Sequence, residues 1–92
     1  MSNWKEWHWY VYILETKNGY YYTGRTWNIE KRYEQHLSGQ GGKYTATNGV
    51  KRLVYVEEHN SYKIAVKREL EIKDMSRFKK QRLISEYENT QK

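Results

Sequence analysis

One carboxylate, that of Glu69, falls where the sequence predicts an apolar helix face. A period of about 100° per residue places four apolar or aromatic side chains on this face: Tyr62, Ala65, Val66 and Ile72. Glu69 lies near the centre of the stripe, where a charged group loses hydration and needs a partner. A metal ion or a buried arginine would supply one. The competing interpretation is a glutamate that reaches solvent or pairs with Lys73, four residues further on.

Arg32 and His36 are four residues apart, so a helix would present both to the same ligand edge. A fixed cation and a titratable base are the groups that phosphodiester cleavage needs, one for developing charge and one for proton transfer. The ordinary alternative is a solvent-facing arginine beside a partly buried histidine.

Tyrosines are concentrated in one predicted hairpin: Tyr10, Tyr12, Tyr20, Tyr21 and Tyr22. Tyrosine is common in strands, so most of these should be packing residues. A tyrosine among cations could have a lowered phenol pKa and act as a base or a hydrogen-bond donor. A stacking platform for nucleic-acid bases is another use of such rings.

The charge of the chain is positive and uneven. Lys and Arg number 17 against 11 Asp and Glu, which gives +6, and residues 63–82 alone hold eight basic and three acidic side chains. A concentrated basic face attracts polyanions, among which nucleic acid is the commonest in cytoplasm; the alternative is a solvated helix face. Cysteine is absent, which excludes disulfides, thiolate zinc sites and a cysteine nucleophile.

The length of 92 residues predicts one domain, spanning 1–92, with a small core. The longest apolar or aromatic run, Trp9 to Leu14, is far too short to span a bilayer. The first residues lack the apolar segment of a secretory signal. We therefore expect a soluble, cytoplasmic, monomeric domain with no membrane association.

Two strands joined by a tight turn begin the predicted fold. Trp7 to Leu14 alternates with apolar or aromatic residues on both faces, which favours a central strand. The turn Lys17-Asn18-Gly19 leads into a second strand, Tyr20 to Arg25. A two-residue turn would put Tyr12 and Tyr22 on opposite faces, whereas a three-residue loop with a left-handed Gly19 puts them on the same face.

Helices and one more strand complete the prediction. Asn28 should cap a helix that runs to about Ser38, with Gly39 ending it and a buried stripe of Ile29, Tyr33 and Leu37. Three further elements follow a flexible loop over 39–49: a strand at Leu53–Val56, a helix from the Ser61 cap to about Asp74, and a helix at Arg77–Glu88 capped by Ser76. The predicted class is α+β, a three-stranded sheet flanked by about three helices.

Three segments in this order resemble the GIY-YIG nuclease domain: Tyr10–Leu14, Tyr22–Gly24 and Asn28–His36. Three others resemble the small single-domain branch of that superfamily: Gly42–Thr45, Ala65–Lys73 and Ser76–Lys80. The resemblance covers residues 9–84, nearly the whole chain. It implies a mixed three-stranded sheet and a divalent-metal-dependent endonuclease that hydrolyses DNA phosphodiester bonds.

Matching by position, the resemblance implies five catalytic residues: Tyr12, Tyr22, Arg32, His36 and Glu69. Glu69 would be the metal ligand, for Mg²⁺ or Mn²⁺. Residues expected to bind nucleic acid are Arg25, Lys43, Arg68, Lys73, Arg77, Lys79 and Lys80. The expected partner is duplex or branched DNA, cut with low sequence specificity in repair or recombination.

Two other functions fit the same sequence. The domain could be a basic nucleic-acid-binding module without catalysis, its tyrosines stacking on bases. It could also be an adaptor whose tryptophan-rich N-terminal segment (Trp4, Trp7 and Trp9) docks on a protein partner.

Overall fold

The computed structural model describes residues 7–91, so Trp4 lies outside it. Within this range the elements are β1 (Trp9–Thr16), β2 (Tyr21–Thr26), α1 (Ile29–Leu37), α2 (Lys43–Asn48), β3 (Val50–His59), α3 (Tyr62–Lys73) and α4 (Arg77–Thr90). The predicted α+β class with a three-stranded sheet is confirmed, with four helices in place of about three. Among these helices, none is long and apolar enough to cross a bilayer.

The sheet has the order β2-β1-β3, and β1 pairs antiparallel with both neighbours. The expected mixed sheet is therefore wrong. After β2 the chain passes through α1 and α2 and enters β3 on the far side of β1. β2 and β3 run in the same direction, but because β1 separates them they form no parallel ladder.

The hairpin between β1 and β2 has the three-residue loop. The Thr16 amide donates to the Tyr20 carbonyl at 2.8 Å, and Gly19 has φ 85°, a left-handed conformation that favours glycine. Leu14 consequently pairs with Tyr22, and Tyr12 pairs with Gly24. This register places both tyrosines on one face of the sheet.

Both faces of β1 are covered, as expected for a central strand. On one face, Val11 and Ile13 pack with residues of α3 and α4. On the other, Tyr12 and Leu14 pack with Val50 and with side chains of α1. The two tyrosines of the hairpin thus face α1, and α3 lies across the opposite face.

Serine and asparagine side chains start three helices where the sequence predicts. Asn28, Ser61 and Ser76 each accept a hydrogen bond from the amide three residues on. The predicted helix ends lie within two residues of the observed ends. Capping therefore fixes where α1, α3 and α4 begin, and with them the side chains that each helix turns toward the sheet.

Three local predictions differ from the structure. The expected flexible loop over 39–49 contains α2, which packs against α1. Leu37, expected in the buried stripe, is 54% exposed, while His36 is 1% exposed. Because α2 packs on α1, the face of α1 turned inward includes His36 instead of Leu37. β3 is also longer than predicted, since it pairs with β1 from Trp9 to Thr16.

Candidate active site

A cavity of about 300 Å³ opens at the edge of the sheet formed by β2. Its lining includes four of the five predicted catalytic residues: Tyr12, Tyr22, Arg32 and Glu69. The fifth, His36, lies behind the Tyr12 ring and within hydrogen-bond distance of its phenol. The fold thus brings the five side chains to one place, although they come from β1, β2, α1 and α3.

Gly24 in β2 allows the two tyrosines to approach each other. A Cβ atom at this position would lie 2.5 Å from the Tyr12 phenol oxygen and 3.1 Å from the Tyr22 ring. Tyr12 is a buried core residue whose position is fixed, so a larger residue at position 24 would clash. The ring centroids of the tyrosines are 6.4 Å apart.

A chain of hydrogen bonds extends from the Tyr12 phenol into the protein. The phenol lies 2.9 Å from His36 Nε2, His36 Nδ1 lies 2.7 Å from Thr45 Oγ1, and the Thr45 hydroxyl donates to the Gly42 carbonyl at 3.4 Å. Because the Thr45 proton is directed to that carbonyl, its oxygen accepts from Nδ1–H. The Nε2 lone pair of His36 is then the acceptor for the Tyr12 O–H.

Burial determines the protonation state of this pair. It raises the pKa of Tyr12 to about 12, and the Arg32 guanidinium offsets only part of the effect. Burial, assisted by the Arg32 charge, lowers the pKa of His36 to about 4. At neutral pH a protonated phenol therefore faces a neutral imidazole. The idea that cations lower the phenol pKa is wrong for Tyr12, since desolvation is the larger effect.

The Glu69 carboxylate is 5% exposed and has two cationic partners. Oε1 forms an ion pair with Arg25, and Oε2 lies 3.2 Å from the Lys73 ammonium. Arg25 also donates to the Tyr62 hydroxyl at 3.2 Å. Two of the partners considered for this carboxylate are present together: an arginine, which is partly exposed and not buried, and the lysine four residues on. Arg25, expected to bind nucleic acid, is thus the partner of Glu69.

One carboxylate at the cavity wall, that of Glu69, has the donor chemistry of a ligand for a hard divalent ion. Mg²⁺ is commonly held by one or two carboxylates together with waters and substrate phosphate, and Glu69 offers one carboxylate at the cavity wall. No cluster of three or more His, Asp or Glu side chains suited to a metal is found within residues 7–91. An ion at Glu69 would compete with Arg25 and Lys73 for the two oxygens.

Arg32 faces the cavity with hydrogen-bonding capacity to spare. Its Nη1 donates to the Gln35 side chain at 3.2 Å. Its Nε is buried and has no hydrogen-bond partner among the described residues. A buried guanidinium donor without a partner suits an oxyanion such as phosphate, so the solvent-facing alternative does not hold for this arginine.

The other predicted nucleic-acid-binding residues lie on α2, α3 and α4. Arg68 is paired with Glu57 at 2.6 Å, and the Arg77 guanidinium lies 4.8 Å from the Tyr21 ring centroid. Lys43 and Lys79 are exposed, and Lys80 is partly buried. Their role in binding nucleic acid stays a prediction.

Sequence reasoning missed Thr45 as part of the site. Thr45 is 1% exposed and is the neighbour that sets the orientation of His36. The only signal in the sequence is the motif Gly42–Thr45. The role of its threonine becomes visible only when α2 packs against α1.

Acid should destabilise the protein through His36. Its pKa is about 4 in the folded state against the usual 6.5, so the unfolded chain binds more protons between these values. The stabilising contribution is fully present above pH 6.5 and is lost as the pH falls toward 4, by up to about 3 kcal/mol. Urea unfolding at neutral and acidic pH should show a smaller loss for His36→Gln than for the wild type. Equal losses would contradict the prediction.

Comparison with known proteins identifies the family of the chain. Residues 8–82 match the GIY-YIG catalytic domain. The chain belongs to the GIY-YIG family. Its relatives include UPF0213 protein BH0048 of Halalkalibacterium halodurans, 46% identical over 87 residues that cover 90% of this chain and 93% of the relative. UPF0213 protein SSP2268 of Staphylococcus saprophyticus is 49% identical over 77 residues, 84% of this chain and 94% of the relative.

A solved relative has the same fold. The solution NMR structure of the UPF0213 protein BH0048 from Bacillus halodurans aligns with a TM-score of 0.56 and 45% identity. The alignment covers 85% of this chain and 83% of the relative. The resemblance found in the sequence is thereby confirmed, as is the α+β fold.

Proposed function

We propose that the protein is a divalent-metal-dependent endonuclease that hydrolyses DNA phosphodiester bonds with little sequence specificity. The observation that carries this proposal is the single cavity lined by Tyr12, Tyr22, Arg32 and Glu69, with His36 bonded to Tyr12. Membership of the GIY-YIG family supports it.

Phosphate binding is assigned to side chains at the cavity wall. Arg32 would donate its unpartnered Nε–H to a phosphate oxygen and offset the charge that develops there. The Tyr22 hydroxyl would hydrogen-bond a second oxygen. Glu69 would hold Mg²⁺ or Mn²⁺, and the bound ion supplies Lewis-acid stabilisation of charge on the phosphate.

Water activation is assigned to Tyr12 and His36. The phenol would take a proton from the attacking water while its own proton moves to His36 Nε2, 2.9 Å away. Tyr12 then stays neutral throughout, as its raised pKa requires. The imidazole would hold the proton only briefly and return it through the Tyr12 phenol to solvent water after cleavage, because its pKa of about 4 favours release.

Low specificity follows from the kind of contacts proposed. Arginine and lysine contacts to phosphate position a nucleic acid without reading its sequence. The proposed contacts to the DNA backbone are made by Arg25, Arg68, Arg77, Lys43, Lys73, Lys79 and Lys80. Selection of branched DNA, and a role in repair or recombination, belong to the same proposal.

The test is cleavage of supercoiled plasmid and of labelled branched DNA. We expect nicking with Mg²⁺ or Mn²⁺ and none with EDTA. Comparison of intact and branched substrates measures shape preference directly. Absence of metal-dependent cleavage on both substrates would overturn the proposal.

A non-catalytic nucleic-acid-binding module is the second candidate. It is favoured by the ion pairs of Glu69, because both carboxylate oxygens already have cationic partners. This function predicts binding that weakens with salt, no cleavage, and no change in binding on Glu69→Gln.

Lys73 should weaken metal binding at Glu69. Its side chain is 50% exposed and lies 3.2 Å from Oε2, so Lys73→Gln frees that oxygen without removing a buried group. We expect Mn²⁺ affinity to rise about twofold to fivefold, in keeping with the small energy of an i,i+4 ion pair whose lysine is half exposed. Free Mn²⁺ can be measured by electron paramagnetic resonance. The control is Lys67→Gln, an exposed lysine of the same helix; equal affinities in the two variants would contradict the prediction.

A further inference from the structure

A second cavity, of about 330 Å³, adjoins the candidate active site. The two share three lining residues: Trp9, Arg25 and Arg32. The rest of its wall comes from the end of β2 and the first turns of α1: Thr26, Trp27, Asn28, Lys31 and Gln35. A strand whose phosphate lies in the active site could therefore continue directly into this second space.

Trp27 gives the second cavity a flat aromatic wall. The residue stands between Thr26, the last residue of β2, and Asn28, the cap of α1, so its backbone is held on both sides. The side chain is 51% exposed, and its ring centroid lies 5.1 Å from that of Trp7. An indole held at a cavity wall and half open to water is a surface on which another flat ring can stack.

The charges around this wall favour an anion. Lys31 and Arg32 lie in the first turns of α1 and line the cavity, whereas Glu30, which offsets part of the positive field of the helix N-terminus, does not line it. Among the described residues, no carboxylate side chain lines this cavity. The cavity therefore combines a stacking surface with phosphate-binding groups, which together match a nucleotide.

We propose that this cavity binds one nucleotide of the substrate strand next to the scissile phosphate, with its base stacked on Trp27. Its phosphate is held by Lys31, which lines this cavity and not the candidate active site. The position beside the scissile phosphate rests on the proposed nuclease function. To reach the indole, the base leaves the stack of its neighbours, so the substrate offers an unpaired or extruded base at this position.

Two probes with the same phosphates separate stacking from charge. One is a fluorescein-labelled thymidine oligonucleotide, and the other is a chain of abasic residues of equal length. Binding is followed by fluorescence anisotropy in EDTA. The wild type should bind the thymidine probe about tenfold more tightly, the effect expected of aromatic stacking on one base. Trp27→Leu should bind both probes equally.

Control variants test whether the effect belongs to this indole. Trp27→Tyr keeps a stacking ring and should retain most of the preference for thymidine. Tyr20→Leu removes an aromatic side chain of similar exposure, 52%, beyond the other end of β2, and should leave the preference unchanged. Lys31→Gln should lower the binding affinity for both probes by the same factor.

Two results would overturn the inference. One is equal binding of the two probes by the wild type, and the other is a preference for thymidine that survives in Trp27→Leu. The binding assay involves neither metal nor cleavage. A further outcome is that the wild type fails to cut DNA while Trp27→Leu still abolishes the preference for thymidine. That result would refute the proposed nuclease function and support the nucleotide site, so the two failures are distinguishable.

Discussion

Glu69→Gln is expected to lower the rate of DNA cleavage by about three orders of magnitude in Mg²⁺ or Mn²⁺. Glutamine keeps the size of the side chain but removes the charge that would hold the ion. Lewis-acid stabilisation of several kcal/mol is lost with it. The measurement is the single-turnover rate on labelled DNA, at a metal concentration that saturates the wild type.

The matched control is Glu71→Gln, an exposed carboxylate two residues further along α3. It changes the net charge by the same amount and should cut at the wild-type rate. Loss of the Glu69 charge also leaves Arg25 without its anionic partner, but the Arg25 side chain is 33% exposed and remains partly hydrated. Both variants should therefore fold, which circular dichroism can verify. Similar cleavage rates in the two variants would remove Glu69 from the mechanism.

The position of Glu69 was predictable because helical geometry acts locally. Counting residues from Tyr62 placed the carboxylate on the same face as Ala65 and Ile72, and all three are packed inward. Its partner Arg25 lies 44 positions away in sequence. No local pattern in the sequence links the two, so this ion pair could come only from the tertiary fold.

The hairpin register was reduced to two alternatives by its turn residues. Asn18-Gly19 allowed a two-residue or a three-residue loop, and only the second placed Tyr12 and Tyr22 on one face. The structure has the second, with Tyr12 opposite Gly24. The turn residues limited the register of the hairpin to two alternatives. The alternative that places both phenols on one face is the register that the structure has.

The burial and hydrogen-bond partners of His36 could not be predicted from local sequence patterns. Gly41 and Gly42 precede α2, and its threonines and asparagine are weak helix formers, so local propensity predicts a loop here. Helix α2 forms because it packs on α1, and this packing buries His36 beside Thr45. The direction of the Tyr12 pKa shift was missed for the same reason: charges can be counted in a sequence, but the depth of burial cannot.

Tyr12→Phe should slow cleavage by about 10² to 10⁴-fold, because it removes the oxygen that accepts the water proton. The ring, which packs at 5.8 Å from the His36 imidazole, remains. The variant should also be less stable by about 1–3 kcal/mol, since buried Nε2 of His36 loses its donor. Both effects are measurable on one preparation, by single-turnover cleavage and by urea unfolding.

Tyr33→Phe is the matched control, because Tyr33 is a partly buried tyrosine of α1 that packs on the same face of the sheet. It should cut at the wild-type rate. A Tyr12→Phe protein that is less stable but cuts DNA at the wild-type rate would show that the phenol has only a structural role. Another group in the cavity would then have to activate the water. Thr45→Val removes the oxygen that accepts from His36 Nδ1. Thr45 is linked to Tyr12 only through the His36 imidazole, so a slower cleavage rate in this variant would show that the proton path continues through His36.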